Sequence, residues 1–519
     1  MTTTTSSPAR AASKLAIPFL GLVAGLQGAM PNIASTALVG ASRSLDMTGS
    51  TQALAASAQT LAIAATVISA GLLADRLGRR NVLMVALVVA TVGNIIVALA
   101  PASTVYIIGM AVTGAGLGAV FGCAFAYIKA VSPPERLAAS MGLFTASNMA
   151  VTVILTFVGG SLTSIDWRIA FVLLPVIATI VLLLVPVVLP RQKRVTGTNT
   201  DLPGQLFLFA GVFAFLYSCS QFATSLTSPK TLIPLIAGVV FLAGFFIWES
   251  RSSRNFFPVE LFRSPVFLAA LAAGFIFNFG NAVAFLQVTN LWQYVTGLKT
   301  SEVALWQLPL LLAGIVAGVF VGRLMVNGLT NRLAIVIGGL TTAAGFAALA
   351  LAHSSTSFLA FLPGLLLVGG GVVLAAVPFG NLILRESPPQ YLGPVSSSRT
   401  TAGQFFYTLG FSLSTVLIDR MTDGGVVQRL TEQGVPANQL STGLDAVSVY
   451  ASTGTAPSTS FGQQALADAV TSYGNAFSVT MFVSAGVLLL AALAAFLWLR
   501  NGEGTPQPAS TEEPSPAAA

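Results

Sequence analysis

The densest group of ionisable side chains in this chain is Asp75-Arg76 with Arg79-Arg80, four charges within six residues, bracketed by Gly71 and Gly78. A carboxylate set among arginines can pair with a guanidinium or accept hydrogen bonds from a helix N-terminus. That is the chemistry of a latch that holds two elements together. The glycines suit a short turn between closely packed helices. The other polar side chains within apolar surroundings are mostly uncharged. They are Gln27 and Asn32 on either side of Pro31, Asn148, then Asn278, Asn281, Gln287 and Asn290, and finally Trp306, Gln307, Asn381, Gln404 and Tyr407. At lipid depth such groups either line a cavity or tie helices together, because an unpartnered polar group there is costly. At 100° per residue Asn278 and Asn281 share one helix face, and Gln287, Asn290 and Tyr294 share another. The group around 278–293 is expected to line a cavity. Arg399 reads either as a cation snorkelling to the surface or as a contact for an anion or head group in a central cavity.

Reactive chemistry is missing. There is no nucleophile–base pair, no metal-ligand cluster and no phosphate loop, so neither an enzyme nor a cofactor or metal site is expected. The one histidine is His353, and Cys123 and Cys219 both lie inside apolar runs as small buried residues. The Gly114–Gly118 run falls mid-helix with no preceding strand and reads as a packing face.

These residues must be positioned by membrane helices. Of the 519 residues 55% are hydrophobic and only 8% are charged, with a mean hydropathy of +0.83. Soluble domains carry about a quarter charged residues. The net charge of +7 is spread over short loops and forms no basic domain, so nucleic acid is not a partner. Apolar runs of about 20 residues span a bilayer as helices. Fourteen are expected, near 15–40, 53–73, 81–100, 105–130, 138–162, 168–190, 206–224, 232–249, 266–296, 304–325, 333–352, 358–384, 395–419 and 475–499. With both termini on one side, that side holds eighteen of the twenty-four basic residues, which makes it cytoplasmic.

The chain also repeats itself. Ser132-Pro133-Pro134 recurs as Ser387-Pro388-Pro389, 255 residues later. The Gly71–Arg80 run has a worn counterpart in Gly322-Arg323-Leu324-Met325-Val326-Asn327-Gly328, at a similar offset. Two six-helix halves with two helices inserted between them account for both matches. The expected organisation is an N-terminal tail at 1–14, a bundle at 15–190, a linker with two extra helices at 191–265, a bundle at 266–500 with an outer loop at 420–474, and a tail at 501–519. The fold class is therefore all-α integral membrane, with fourteen transmembrane helices.

The Gly71, Asp75, Arg76, Gly78, Arg80 spacing resembles the Gly-x-x-x-Asp-Arg-x-Gly-x-Arg/Lys signature of the major facilitator superfamily. The inserted pair, Ser132–Arg136, Trp167-Arg168 with Phe171, and Phe257–Phe262 make the chain similar to its fourteen-helix drug:proton antiporter branch. The resemblance implies a plasma-membrane, multi-pass secondary transporter with both termini cytoplasmic. It would act as a monomer, export small amphipathic organic compounds, and couple to protons. It also implies that Asp75 serves the inward gate. Several residues depart from the branch. Helix 1 reads Met30-Pro31-Asn32-Ile33 with no carboxylate, and Met110–Gly116 of helix 4 holds no arginine. Of a helix-5 Gly-Pro-x-x-Gly-Gly motif only Gly159 and Gly160 remain. These departures keep two alternatives open: an exporter or flippase of an endogenous lipid or metabolite without proton coupling, and a transport-inactive membrane sensor.

Overall fold

The computed structural model describes residues 15–47, 49–163, 165–192, 201–222, 227–252, 255–298, 300–453 and 457–499. The tails expected at 1–14 and 501–519 lie outside the described residues. The described residues form helices joined by short connections, with no strand among them. The principal helices are α1 (Ala16–Ser44), α2 (Gly49–Leu77), α3 (Arg79–Ala98), α4 (Ser103–Val131), α5 (Leu137–Thr163), α6 (Leu173–Val188), α7 (Leu202–Gln221), α8 (Pro229–Arg251), α9 (Pro265–Tyr294), α10 (Leu308–Val326), α11 (Asn331–Leu351), α12 (Phe358–Glu386), α13 (Leu392–Glu432) and α14 (Ser460–Trp498). Short helices Trp167–Ala170 and Thr300–Trp306 lead into α6 and α10.

Thirteen spans among the described residues are long and apolar enough to cross a membrane. The exception among the fourteen expected is α13, whose first turns carry Ser396, Ser397, Ser398, Arg399, Thr400 and Thr401. All six are buried inside the protein. Its low hydropathy reflects these buried polar turns, which pack among α2, α9 and α14. The outward surface is apolar instead. Leu183, Val187, Ile233 and Leu490 are exposed, as befits side chains whose solvent is hydrocarbon.

The two halves use the same packing scheme. In the first, α1 packs on α5, α2 on α4, α3 on α4 and α3 on α6. In the second, α9 packs on α13, α10 on α12, α11 on α12 and α11 on α14. The turns match as well. Gly78 after α2 and Gly328 after α10 both have positive φ, 92° and 111°, a conformation open to glycine without a Cβ clash. Each Ser-Pro-Pro run ends its helix, since proline cannot continue one, and leads into a 3-10 turn, Pro134–Arg136 or Pro389–Tyr391. The inserted pair α7–α8 packs on itself, with α7 touching α2 and α13.

The stretch expected to be an outer loop, 420–474, is largely helical. α13 continues to Glu432, a further helix covers Ala437–Thr453, and α14 begins at Ser460. Apolar residues at helical spacing explain this. Val426, Leu430, Ala465 and Ala469 form a small separate core with Leu440, Leu444 and Phe461 packed against it.

Candidate functional site

The face bearing the loops after α2, α4, α10 and α12 is called the basic face below. There the halves are joined. Asp75, only 2% exposed, accepts from the Gly393 amide through Oδ2 at 2.5 Å and from Arg79 Nη2 through Oδ1 at 2.7 Å. Gly393 is the second residue of α13, whose first turn has no side-chain cap of its own, so a carboxylate from the other half satisfies one of its free N–H groups. This approach requires glycine on both sides. A Cβ at Gly71 would collide with the Gly393 carbonyl and Ser397, and one at Gly393 with the Gly71 carbonyl. Arg79 also donates to Gln192 Oε1 at 2.9 Å. A second join comes from Lys129 at the end of α4, whose Nζ donates to the carbonyls of Leu384 at 2.7 Å and Ser387 at 2.9 Å. Deeper in, Thr401 Oγ1 donates to the Ala64 carbonyl at 3.1 Å.

The α5–α10 seam follows the same pattern. A Cβ at Gly142 would strike the Gly318 carbonyl, whereas one at Gly160 would meet nothing within 4 Å. Eighteen residues make five full turns, so these two glycines share a face of α5. The seam is shut toward the basic face and free at its far end.

Between the halves lies a cavity of about 270 Å³. It is lined from the first half by residues including Gln27, Asn32, Phe121, Phe144, Thr145, Asn148 and Met149, and from the second by residues including Phe277, Asn278, Asn281, Phe379, Arg399, Gln404 and Tyr407. Apolar rings alternate with amides and hydroxyls. Among the described residues Arg399 is the one charged residue in the lining, and no carboxylate faces the space.

A two-half helical bundle around a central cavity is a fold shared by many carriers, and similarity to known sequences narrows it. The family model for the Major Facilitator Superfamily matches residues 19–411. The chain belongs to this superfamily. Among curated relatives, an uncharacterized MFS-type transporter of Mycobacterium tuberculosis is 28% identical over 379 residues, covering 71% of this chain and 54% of the relative. The chain therefore spans about half the length of that relative. A multidrug resistance protein B homolog of the same organism is 26% identical over 385 residues, covering 71% and 70%. Among solved structures, that of the human organic anion transporter MFSD10 (TETRAN) superposes with a TM-score of 0.61 at 14% identity, covering 94% of this chain and 100% of that one. At that identity the likeness shows the fold alone.

Within this superfamily fold, Gln27, Asn32, Asn148, Asn278, Asn281, Arg399, Gln404 and Tyr407 come together around the cavity. Five other candidates do not line it. Gln287 is buried and donates to Ser414 Oγ at 2.8 Å, joining α9 to α13. Asn290 bonds Tyr473 of α14. Gln307 donates to the Phe285 carbonyl at 3.2 Å and to Thr289. Trp306 packs edge-on to Trp292, 5.2 Å between centroids. Asn381 donates to Asn331 Oδ1 at 2.9 Å, joining α12 to α11. The amides of α9 thus divide by face: one face meets the cavity and the other meets neighbouring helices. Gly159 packs against Ile33 of α1. Gly78 forms the turn after α2, with Arg76 and Arg80 on either side of it.

Sequence reading missed the aromatic rings around Arg399 and the lysine latch at Lys129. It also missed a buried cluster at the base of α7–α8. There Asp201 accepts from Trp248 Nε1 at 2.8 Å, and Glu249 Oε2 accepts from the amides of Phe256 and Phe257 at 3.1 and 3.3 Å. Asp201 and Glu249 sit at opposite ends of the inserted pair, so only its antiparallel packing brings them together.

Proposed function

We propose that this protein is a secondary transporter that exports amphipathic organic compounds across the plasma membrane by alternating access, with its basic face and both termini cytoplasmic. The observation that carries this reading is one-sided closure. The halves are latched at the basic face by Asp75–Gly393 and Lys129–Ser387, while the α5–α10 seam is free at the far end. Rocking two halves about a central site requires such a joint to break on one side as another forms on the opposite side. The apolar and amide-rich lining suits amphipathic cargo. The multidrug resistance relatives point the same way, although their names describe those proteins.

A second reading, carriage of an endogenous lipid or metabolite without proton coupling, is favoured by the lining. Among the described residues it offers no Asp or Glu to take up and release a proton at the binding site. Efflux from proteoliposomes with and without an imposed pH gradient separates the two. Acceleration by the gradient supports proton-coupled export; transport indifferent to it supports the second reading. If no amphiphile moves under either condition, the transporter reading fails.

A further inference from the structure

We propose that Arg399 recognises an anionic head group in the central cavity, so that the compound bound there is an amphipathic anion: a carboxylate, sulfonate, sulfate or phosphate on an apolar body. This rests on the transporter reading and specifies its substrate class.

Snorkelling does not describe Arg399. It lies seven residues past the start of α13, about 10 Å of helix rise, and it is only 8% exposed. The guanidinium is held instead among three aromatic rings. Its central carbon lies 4.8 Å from the centroid of Phe125, 5.0 Å from Phe379 and 5.6 Å from Phe121. Phe121 and Phe125 belong to α4 and Phe379 to α12, so both halves grip one cation. The ring faces offset part of its desolvation, yet they accept none of its five N–H donors in the usual sense.

Among the described residues the buried Nε of Arg399 has no hydrogen-bond partner, and no carboxylate pairs with the side chain. An unpaired buried charge is among the costliest groups a protein can hold, and it is retained where something completes it. The lining around it supplies amides and hydroxyls, from Thr400, Gln404, Asn278 and Asn281, which add neutral hydrogen bonds but no negative charge. An anion would supply the charge and the acceptors together, in the forked geometry that guanidinium favours. Phe144, Met149, Phe277 and Leu311 leave apolar wall for the rest of the molecule. A cationic compound would meet uncompensated like charge in the same place.

A free organic anion and a phospholipid head group share this chemistry, and the test distinguishes them. Purified full-length protein in phosphatidylcholine nanodiscs is dialysed against radiolabelled 2-naphthalenesulfonate, its neutral analogue 2-naphthalenesulfonamide, and tetraphenylphosphonium. The sulfonate is expected to bind at least tenfold more tightly than the sulfonamide, as charge-assisted bonds exceed neutral ones. Arg399→Gln should erase that preference and improve tetraphenylphosphonium binding, while Arg399→Lys should keep part of it. In a parallel arm, discs containing phosphatidylglycerol are analysed by native mass spectrometry. Anionic lipid retained by the wild type and lost from Arg399→Gln supports the site, with a lipid as its source. Equal binding of sulfonate and sulfonamide to the wild type, with no retained anionic lipid, overturns the proposal, as does a preference that survives Arg399→Gln. The wild-type comparison decides even if that variant misfolds. Transport of anionic, neutral and cationic amphiphiles by proteoliposomes, measured alongside, keeps the two readings apart. If any of them moves while the anion preference is absent, only the anion site falls; if none moves, the transporter reading falls and the binding data still judge Arg399.

Discussion

The carboxylate of Asp75 in the first half caps the start of α13 in the second, 318 residues along the chain, through the Gly393 amide at 2.5 Å. The same carboxylate holds Arg79 four residues on, at 2.7 Å. One carboxylate therefore joins the two halves through one oxygen and pairs within its own half through the other.

Asp75→Asn keeps an acceptor for Gly393 but removes the charge that serves both Arg79 and the helix terminus. Loss of charge-assisted bonds of this kind costs about 1.5–3 kcal/mol. The closed basic face should lose at least tenfold in population, and transport should fall correspondingly with membrane insertion intact. Transport rates and thiol labelling of single cysteines placed at the basic face would check this; wild-type values in both would refute the gate assignment.

Gly71→Ala and Gly393→Ala should each force the basic face apart, because the added carbon meets backbone that cannot rotate away. Gly160→Ala meets nothing within 4 Å and should be silent in this state. Thiol labelling of all three variants gives the contrast; equal labelling of all three would mean that the glycine approach does not set the closure.

Lys129→Met removes the donor to two carbonyls at the end of α12. The closed state should weaken by about 1.5–3 kcal/mol, the range for bonds involving a charged group. Basic-face labelling should rise about tenfold or more, with little change in substrate affinity at the distant cavity. A changed KM with unchanged labelling would place Lys129 on the substrate path instead.

Asn278→Leu with Asn281→Leu should alter substrate KM severalfold while leaving thermal stability near wild type, since both residues line the cavity. Gln287→Leu should do the reverse. It breaks a buried bond between α9 and α13 and should lower stability by about 1 kcal/mol, read as a fall in Tm with KM unchanged. The opposite pattern would exchange their roles.

The class of the molecule is legible in the order of its residues. Apolar runs of spanning length leave the backbone no option in lipid but helices, and the repeated Ser-Pro-Pro and glycine turns mark two related halves, because those residues fix local geometry wherever they fall. The sequence also marked Asp75 as unusual, since a carboxylate amid arginines in so apolar a chain needs a partner. The extension of α13 to Glu432 was less legible, because its apolar residues pair with others beyond position 460 and not with near neighbours. Partnership, by contrast, comes from packing. An amide in an apolar helix reads the same whether it faces a cavity, as Asn278 does, or a neighbouring serine, as Gln287 does, and helical periodicity separates the two faces without saying what each one meets. Arg399 shows this most plainly. Its burial among Phe121, Phe125 and Phe379 joins positions far apart in the chain, so its choice between the surface and the cavity could be settled only by how α4, α12 and α13 pack.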